Sequence, residues 1–191
     1  MIVLAMLALV VISVPLFGGR LSRLALIPLR HSWLVLSALA LQTVVISVMP
    51  DMPHAVASGI HVLSYVMAAM FFVLNRRLPG LWVVAIGGGM NMAAIFANGG
   101  TMPAGEWATR VSGLVSDPGE FENSKHLEDA RLLIFGDILP IPEAWPLSNV
   151  FSIGDIILIA GVGVTLHSTS ESQLSRAGRT KRTEPLIEAS N

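Results

Sequence analysis

Residues 135–163 read FGDILPIPEAWPLSNVFSIGDIILIAGVG and carry two aspartates, Asp137 and Asp155, which lie 18 positions apart. The second aspartate lies inside an apolar run from Val150 to Leu166 that has the length and composition of a membrane span. Burying a carboxylate at membrane depth costs free energy, so such a residue is by default a candidate for a functional site. This part of the sequence therefore predicts a membrane protein and gives Asp155 a role beyond packing.

The composition of the 191-residue chain agrees with that interpretation. It is 53% hydrophobic and only 13% charged, whereas soluble domains carry about 25% charged residues. The chain has no cysteine, which excludes disulfides and thiolate metal sites. A net charge of −1 suggests no nucleic-acid partner. We expect no metal and no cofactor, because His54 and His61 are seven residues apart and no ligand spacing repeats.

Five segments have the length and apolar character that a spanning helix needs. They cover residues 2–17, 32–49, 55–74, 80–98 and 149–168. The expected fold is therefore all-α, a polytopic membrane bundle of five transmembrane helices. The bundle occupies residues 1–168, with a structured extracytoplasmic loop at 99–148 and a flexible cytoplasmic tail at 169–191.

The basic residues predict how the chain is oriented. The connection after the second segment has no basic residue. Those that follow the first, third and fifth segments are Arg20, Arg23, Arg30, Arg76, Arg77, Arg176, Arg179, Lys181 and Arg182. Lys and Arg concentrate in short cytoplasmic loops, so the N-terminus is expected outside and the C-terminus in the cytoplasm. The loop at 99–148 is then extracytoplasmic, and we expect it to form one or two short helices at the membrane surface.

The polar residues of the predicted spans concentrate in the outer half of the membrane. They include Gln42, Ser58, His61, Ser64, Tyr65, Asn98, Asn149 and Ser152, while Asn91 is expected near mid-depth. Asn149, Ser152 and Asp155 have the spacing of one helical face, as do Asn91 and Asn98. We expect a polar chamber there, in which His61 could pair with Asp155. The alternative is that the uncharged residues join helices, at about 0.6 kcal/mol each. Gly87, Gly88 and Gly89 favour close helix packing, and His167 is expected to cap or snorkel at the cytoplasmic end.

The two aspartates can be interpreted as a catalytic pair. Two carboxylates that share a site hold one proton between them, so that one activates water while the other polarises a carbonyl. The alternative is structural: Asp137 caps a short helix or pairs with Arg131, and Asp155 bonds neighbouring backbone or His61.

Residues 145–161, WPLSNVFSIGDIILIAG, resemble the last motif of prokaryotic lipoprotein signal peptidases. The resemblance implies that Asp137 and Asp155 are the catalytic pair, with Asn149 as the neighbouring asparagine. Gly88, Gly89 and Asn91 are similar to that family's glycine-rich segment. This chain differs in placing Asn149 six residues before Asp155, where the family has three, and in having five predicted spans where the family has four.

The whole chain resembles a group of small bacterial membrane proteins without a known activity. The shared elements are NGGTMP at 98–103, GDILPIP at 136–142 and NVFSIGD at 149–155. This resemblance implies a five-span protein of the bacterial cytoplasmic (inner) membrane and supplies no activity.

Two main functional hypotheses follow. The first is an aspartyl hydrolase acting on a lipid-modified or membrane protein substrate, with Asp137 and Asp155 catalytic. Its substrate-binding residues would be Asn91, Asn98, Asn149, Ser152 and His61. The second is a non-catalytic binding or accessory subunit for a lipid, a quinone or a protein. Proton-coupled transport through Asp155 and His61 is a weaker third hypothesis, because no inverted repeat is evident. Membrane lipid is a partner in every case.

Overall fold

The structure is a computed structural model that describes residues 2–44, 54–114, 124–127 and 129–176. The chain is mostly helical. The α-helices are α1 (Ile2–Leu16), α2 (Trp33–Thr43), α3 (His54–Leu74), α4 (Leu81–Ala97), α5 (Glu106–Val111) and α6 (Ile153–Ser170). Short 3-10 helices cover Leu21–Leu26 and Leu133–Phe135. Helices thus lie where the apolar segments predict them, except that the last one begins at Ile153, four residues later than expected.

Two of the long helices pack along α6. Helix α1 lies parallel to it, because Val10 is next to Gly163 while Ser13 is hydrogen-bonded to His167. Helix α4 lies antiparallel to α6, and this is the most extensive helix contact of the described residues. The chain therefore runs in one direction through α1 and α6, and in the opposite direction through α4.

Helices α2 and α3 form a second antiparallel pair. The Gln42 side chain near the end of α2 donates to Ser64 Oγ in α3 at 3.1 Å. At the other end, the side chain of Asn75, just after α3, bonds the backbone of Arg30, just before α2. Phe71, near the end of α3, packs with Leu81 at the start of α4, so these two helices are also antiparallel. The five long helices consequently alternate in direction along the chain.

The basic connections meet at one end of the bundle, which we call the basic end. Arg23, between α1 and α2, forms an ion pair with Glu171, just after α6. A surface cavity joins Pro28 from the first connection, Leu78 from the α3–α4 connection and Thr169 at the end of α6. The described arginines that follow α1, α3 and α6 (Arg176 in the last case) therefore share one end of the molecule.

The buried apolar core is small for so hydrophobic a chain. Leu34, Phe71 and Leu81 form a buried cluster that joins α2, α3 and α4. Many other aliphatic side chains point outward, among them Leu4 and Leu16 on α1 and Leu36 on α2. Among the described residues, α6 is the one helix that is long and apolar enough to cross a membrane. The other apolar helices are shorter in their described parts, which are α1, α2, residues Val62–Leu74 of α3, and α4.

The segment between α4 and α6 contains strands that the sequence did not lead us to expect. β1 (Met102–Ala104) pairs in parallel with β2 (Ser124–His126), and β3 (Leu139–Ile141) pairs antiparallel with β4 (Asn149–Phe151). The expectation of an all-α chain is therefore correct only for its mostly helical character. Strands of three residues are too short to leave an alternating pattern in the sequence, which is why they were missed.

Candidate functional site at the start of α6

Glycines bring α4 and α6 into close contact. A Cβ atom on Gly87 would lie 2.4 Å from the Gly154 carbonyl oxygen, and one on Gly161 would lie 2.5 Å from the Val84 nitrogen. Both distances are far below van der Waals contact, so only glycine allows the two backbones to approach this closely. The predicted packing role is confirmed for Gly87. Gly88 and Gly89 have open space around them instead.

Helix α6 begins with a capping box formed by Ser152 and Asp155. Ser152 is the N-cap residue, and its hydroxyl accepts a hydrogen bond from the Asp155 backbone nitrogen at 2.9 Å. In return, Asp155 Oδ2 accepts from the Ser152 backbone nitrogen at 3.0 Å. Two backbone N–H groups at the helix start are thereby satisfied. The carboxylate also lies where the helix dipole stabilises negative charge.

Asn91 of α4 completes a three-residue cluster with this capping box. Its Nδ2 donates to Asp155 Oδ1 at 2.7 Å, and its Oδ1 accepts from Ser152 Oγ at 2.8 Å. A Cβ atom on Gly154 would lie only 2.0 Å from Asn91 Oδ1, so this asparagine fits against a bare glycine. We call this arrangement the Asn91–Ser152–Asp155 cluster. It is held between two glycine-packed helices, and both carboxylate oxygens already accept hydrogen bonds from within the chain.

Asp137 lies in the segment between α4 and α6, residues 98–152. We call it the covering segment, because its 3-10 helix contacts both of these helices. Its backbone nitrogen donates to the Pro103 oxygen at 2.9 Å, and its oxygen accepts from the Gly105 nitrogen at 3.0 Å. Its side chain is buried, with 7% exposed. Gly136 is required because a Cβ there would lie 2.2 Å from the Pro103 oxygen. The GD sequence at 136–137 therefore joins this segment to β1.

The Asp155 carboxylate has Asn91 and Ser152 as its hydrogen-bond partners, and Asp137 is not among them. The 3-10 helix before Asp137, Leu133–Phe135, nevertheless contacts both α4 and α6. The catalytic pairing of the two aspartates stays a prediction.

Two other predicted site residues hold the backbone of the covering segment. Asn98, at the end of α4, donates to the Ala94 oxygen and the Arg131 oxygen at 2.7 Å each, and accepts from the Arg131 nitrogen at 2.8 Å. Asn149 lies in β4 and accepts from the neighbouring Val150 nitrogen at 2.9 Å. The expected helical face of Asn149, Ser152 and Asp155 is therefore wrong, because α6 begins only at Ile153.

The side chain of His61 lies outside the described residues, so its predicted pairing with Asp155 stays a prediction. Within the part of the chain that the structure describes, no three His, Asp or Glu residues are grouped so that they could hold a metal ion.

A second polar contact, at the basic end, was not predicted from the sequence. His167 of α6 is hydrogen-bonded through Nε2 to Ser13 Oγ at 3.0 Å and through Nδ1 to Ser172 Oγ at 2.8 Å. The imidazole ring also lies edge-on to Phe17, with ring centres 5.9 Å apart. The sequence did contain a signal for Ser13, which is the one hydroxyl residue in the otherwise apolar helix α1. A polar group on a helix in lipid needs a hydrogen-bond partner within the protein.

A family model for a family of unknown function, DUF5317, matches residues 26–167. The chain belongs to DUF5317. The DUF5317 match begins before α2 and ends at His167, so it includes every residue of the Asn91–Ser152–Asp155 cluster. An uncharacterised protein of Thermotoga maritima is 34% identical over 100 residues. That alignment covers 52% of this chain and 58% of the relative. No solved structure matches the chain. The resemblance to a group without known activity is thus confirmed at the level of the family.

Proposed function

We propose that this DUF5317 protein is a five-span protein of the bacterial cytoplasmic membrane and acts as a non-catalytic binding or accessory subunit. In this arrangement the N-terminus is outside, the basic end faces the cytoplasm, and the Asn91–Ser152–Asp155 cluster lies near the outer surface. The ligand or partner would be a lipid, a quinone or another membrane protein.

Three observations support the membrane placement. The five long helices alternate in direction, as consecutive spans must. Their aliphatic side chains are largely exposed, whereas soluble monomers rarely expose contiguous apolar patches above a few hundred Å². Only 17% of the residues of helix α6 are buried, whereas most residues in the core helix of a soluble protein are buried. The position of the described arginines at one end supports the proposed orientation, because Lys and Arg concentrate on the cytoplasmic side.

The observation that carries the non-catalytic role is the set of partners of Asp155. A catalytic dyad requires one carboxylate to activate water while sharing a proton with the other. Here both oxygens of Asp155 accept hydrogen bonds from Asn91 and Ser152, and the same bonds join α4 to α6. Asp155 thereby organises the helix interface, and this position suits a residue that maintains a binding surface.

The variant Asp155→Asn tests this role without knowledge of the ligand. The amide replaces one acceptor oxygen with a donor, which then faces either Asn91 Nδ2 or the Ser152 nitrogen. Loss of a hydrogen bond to a charged group costs about 1.5–3 kcal/mol. We expect the purified full chain in detergent to lose that much unfolding free energy, measured by tryptophan fluorescence. The matched control is Asp129→Asn, an exposed aspartate for which we expect a change below about 0.5 kcal/mol. Equal stability of Asp155→Asn and the wild type would contradict the structural role.

A second candidate, the aspartyl hydrolase, is favoured by one observation. Asp137 is buried, and the segment just before it contacts both α4, which carries Asn91, and α6, which carries Asp155. The test is cleavage of a peptide with a diacylglyceryl-modified cysteine in detergent micelles. The hydrolase proposal expects cleavage by the wild type and none by Asp137→Asn or Asp155→Asn. Cleavage that depends on both aspartates would overturn the non-catalytic role.

A further inference from the structure

A surface groove at the basic end is lined by three arginines. It lies between the α1–α2 connection and the α3–α4 connection and has a volume of about 470 Å³. Its lining includes Pro28, Arg30, Asn75, Arg76, Arg77 and Leu78. Among the residues that the structure describes, none that lines the groove is acidic, so the groove combines three positive charges with apolar walls.

The three arginines of this groove have no carboxylate partner among the residues that the structure describes. Elsewhere in the described part of the chain, Arg23 forms an ion pair with Glu171, and Arg110 forms one with Glu106. Three guanidinium groups around one groove repel one another, and this repulsion is relieved when an anion binds between them. The planar guanidinium group is well suited to phosphate, which it can bind through two parallel hydrogen bonds.

The groove is held in shape by Asn75. This side chain is buried, with 4% exposed. It accepts from the Arg30 nitrogen at 2.8 Å, and donates to the Arg30 oxygen at 2.9 Å and to the Phe71 oxygen at 2.8 Å. The connection that carries Arg30 is thus fixed to the turn that carries Arg76 and Arg77. A site fixed before binding loses less conformational entropy when its ligand arrives.

We propose that this groove binds the phosphate headgroup of an anionic phospholipid from the cytoplasmic leaflet. The inference rests on the proposed membrane placement and adds a specific ligand to it. The apolar walls favour a lipid, because Val73 and Leu74 at the end of α3 also line the groove. Val73 is 58% exposed and continues toward the lipid-facing surface. A headgroup in the groove would keep its acyl chains along that surface.

The test measures lipid binding to the purified full chain in detergent by native mass spectrometry. The ligands are phosphatidylglycerol and phosphatidylcholine with the same acyl chains, and inorganic phosphate is added as a competitor. The variant Arg76→Gln/Arg77→Gln removes two charges from the groove. The matched control, Arg110→Gln/Arg131→Gln, removes two exposed charges from the opposite end of the molecule.

We expect the wild type to retain phosphatidylglycerol more tightly than phosphatidylcholine. Each lost charge-assisted hydrogen bond weakens binding about tenfold or more. The groove variant should therefore bind phosphatidylglycerol at least about tenfold more weakly, while the control stays within about twofold. Equal weakening in both variants, or equal binding of the two lipids to the wild type, would overturn the proposal. Complete displacement of the lipid by millimolar inorganic phosphate would also overturn it, because the site would then serve a free anion.

The membrane placement fails in a different way. If it is wrong, the chain is recovered in the soluble fraction after cell lysis, before any lipid is added. If only the groove proposal is wrong, the chain is recovered with the membranes and shows no lipid selectivity.

Discussion

Replacing Gly154 with alanine should separate α4 from α6 and break the Asn91–Ser152–Asp155 cluster. The new Cβ atom would lie 2.0 Å from Asn91 Oδ1 and 2.8 Å from the Gly87 oxygen. Ordinary van der Waals contact begins at about 3.4 Å, so Asn91 Oδ1 must move by about 1.4 Å. The movement required is large enough to break the 2.7 Å hydrogen bond from Asn91 to Asp155.

The expected loss combines two effects. Overpacking of a tight interface costs about 1–3 kcal/mol, and loss of a hydrogen bond to a charged group costs about 1.5–3 kcal/mol. Alanine recovers up to about 1 kcal/mol through its higher helix propensity. We therefore expect Gly154→Ala to lower the free energy of unfolding by about 1.5–6 kcal/mol.

The measurement is denaturant unfolding of the full chain in detergent, followed by tryptophan fluorescence. Gly88→Ala is the matched control, because a Cβ on Gly88 meets nothing within 4 Å. The control should be neutral or more stable by up to about 1 kcal/mol. If Gly154→Ala is as stable as Gly88→Ala, the close glycine contact between α4 and α6 is refuted.

Two further substitutions test other contacts with the same unfolding assay. Ser152→Ala removes the N-cap hydroxyl and its bond to Asn91, and should lower the free energy of unfolding by about 1–2 kcal/mol. Ser152→Thr should recover most of that loss. An unchanged unfolding free energy in Ser152→Ala would count against the capping box. Asn75→Ala removes three hydrogen bonds at a buried position and should cost about 2–4 kcal/mol. Asn149→Ala loses one local hydrogen bond and should lower the free energy of unfolding by less than about 1 kcal/mol. Equal losses of unfolding free energy in the two asparagine variants would contradict the role of Asn75 in fixing the two connections together.

The sequence predicts the helices well because apolar length is a local property. The positions of α1, α3 and α4 follow directly from runs of aliphatic residues. The start of α6 was missed although its signal was present. Residues 152–155 read SIGD before an apolar run, and this is the pattern of a capping box. That pattern predicts a helix beginning at Ile153 rather than at 149.

The partners of the candidate site could not be predicted from one sequence. Asn91 and Asp155 are 64 positions apart, and Ser13 and His167 are 154 positions apart. The sequence predicted a polar chamber that includes Asn91 and Asp155, but the glycine contacts between α4 and α6 determine which of its side chains meet. The short strands depend on pairing between distant segments and leave no local pattern.

The proposed topology has five spans, with the segment between α4 and α6 outside the cell and the basic end in the cytoplasm. The chain has no cysteine, so single cysteines can be introduced and labelled in intact cells with a membrane-impermeant maleimide. Ala144 and Gln173 are both exposed and lie at opposite ends of the molecule. We expect Ala144→Cys to react in intact spheroplasts and Gln173→Cys to react only after lysis. Reaction of both cysteines from outside, or of Gln173→Cys alone, would contradict the proposed topology.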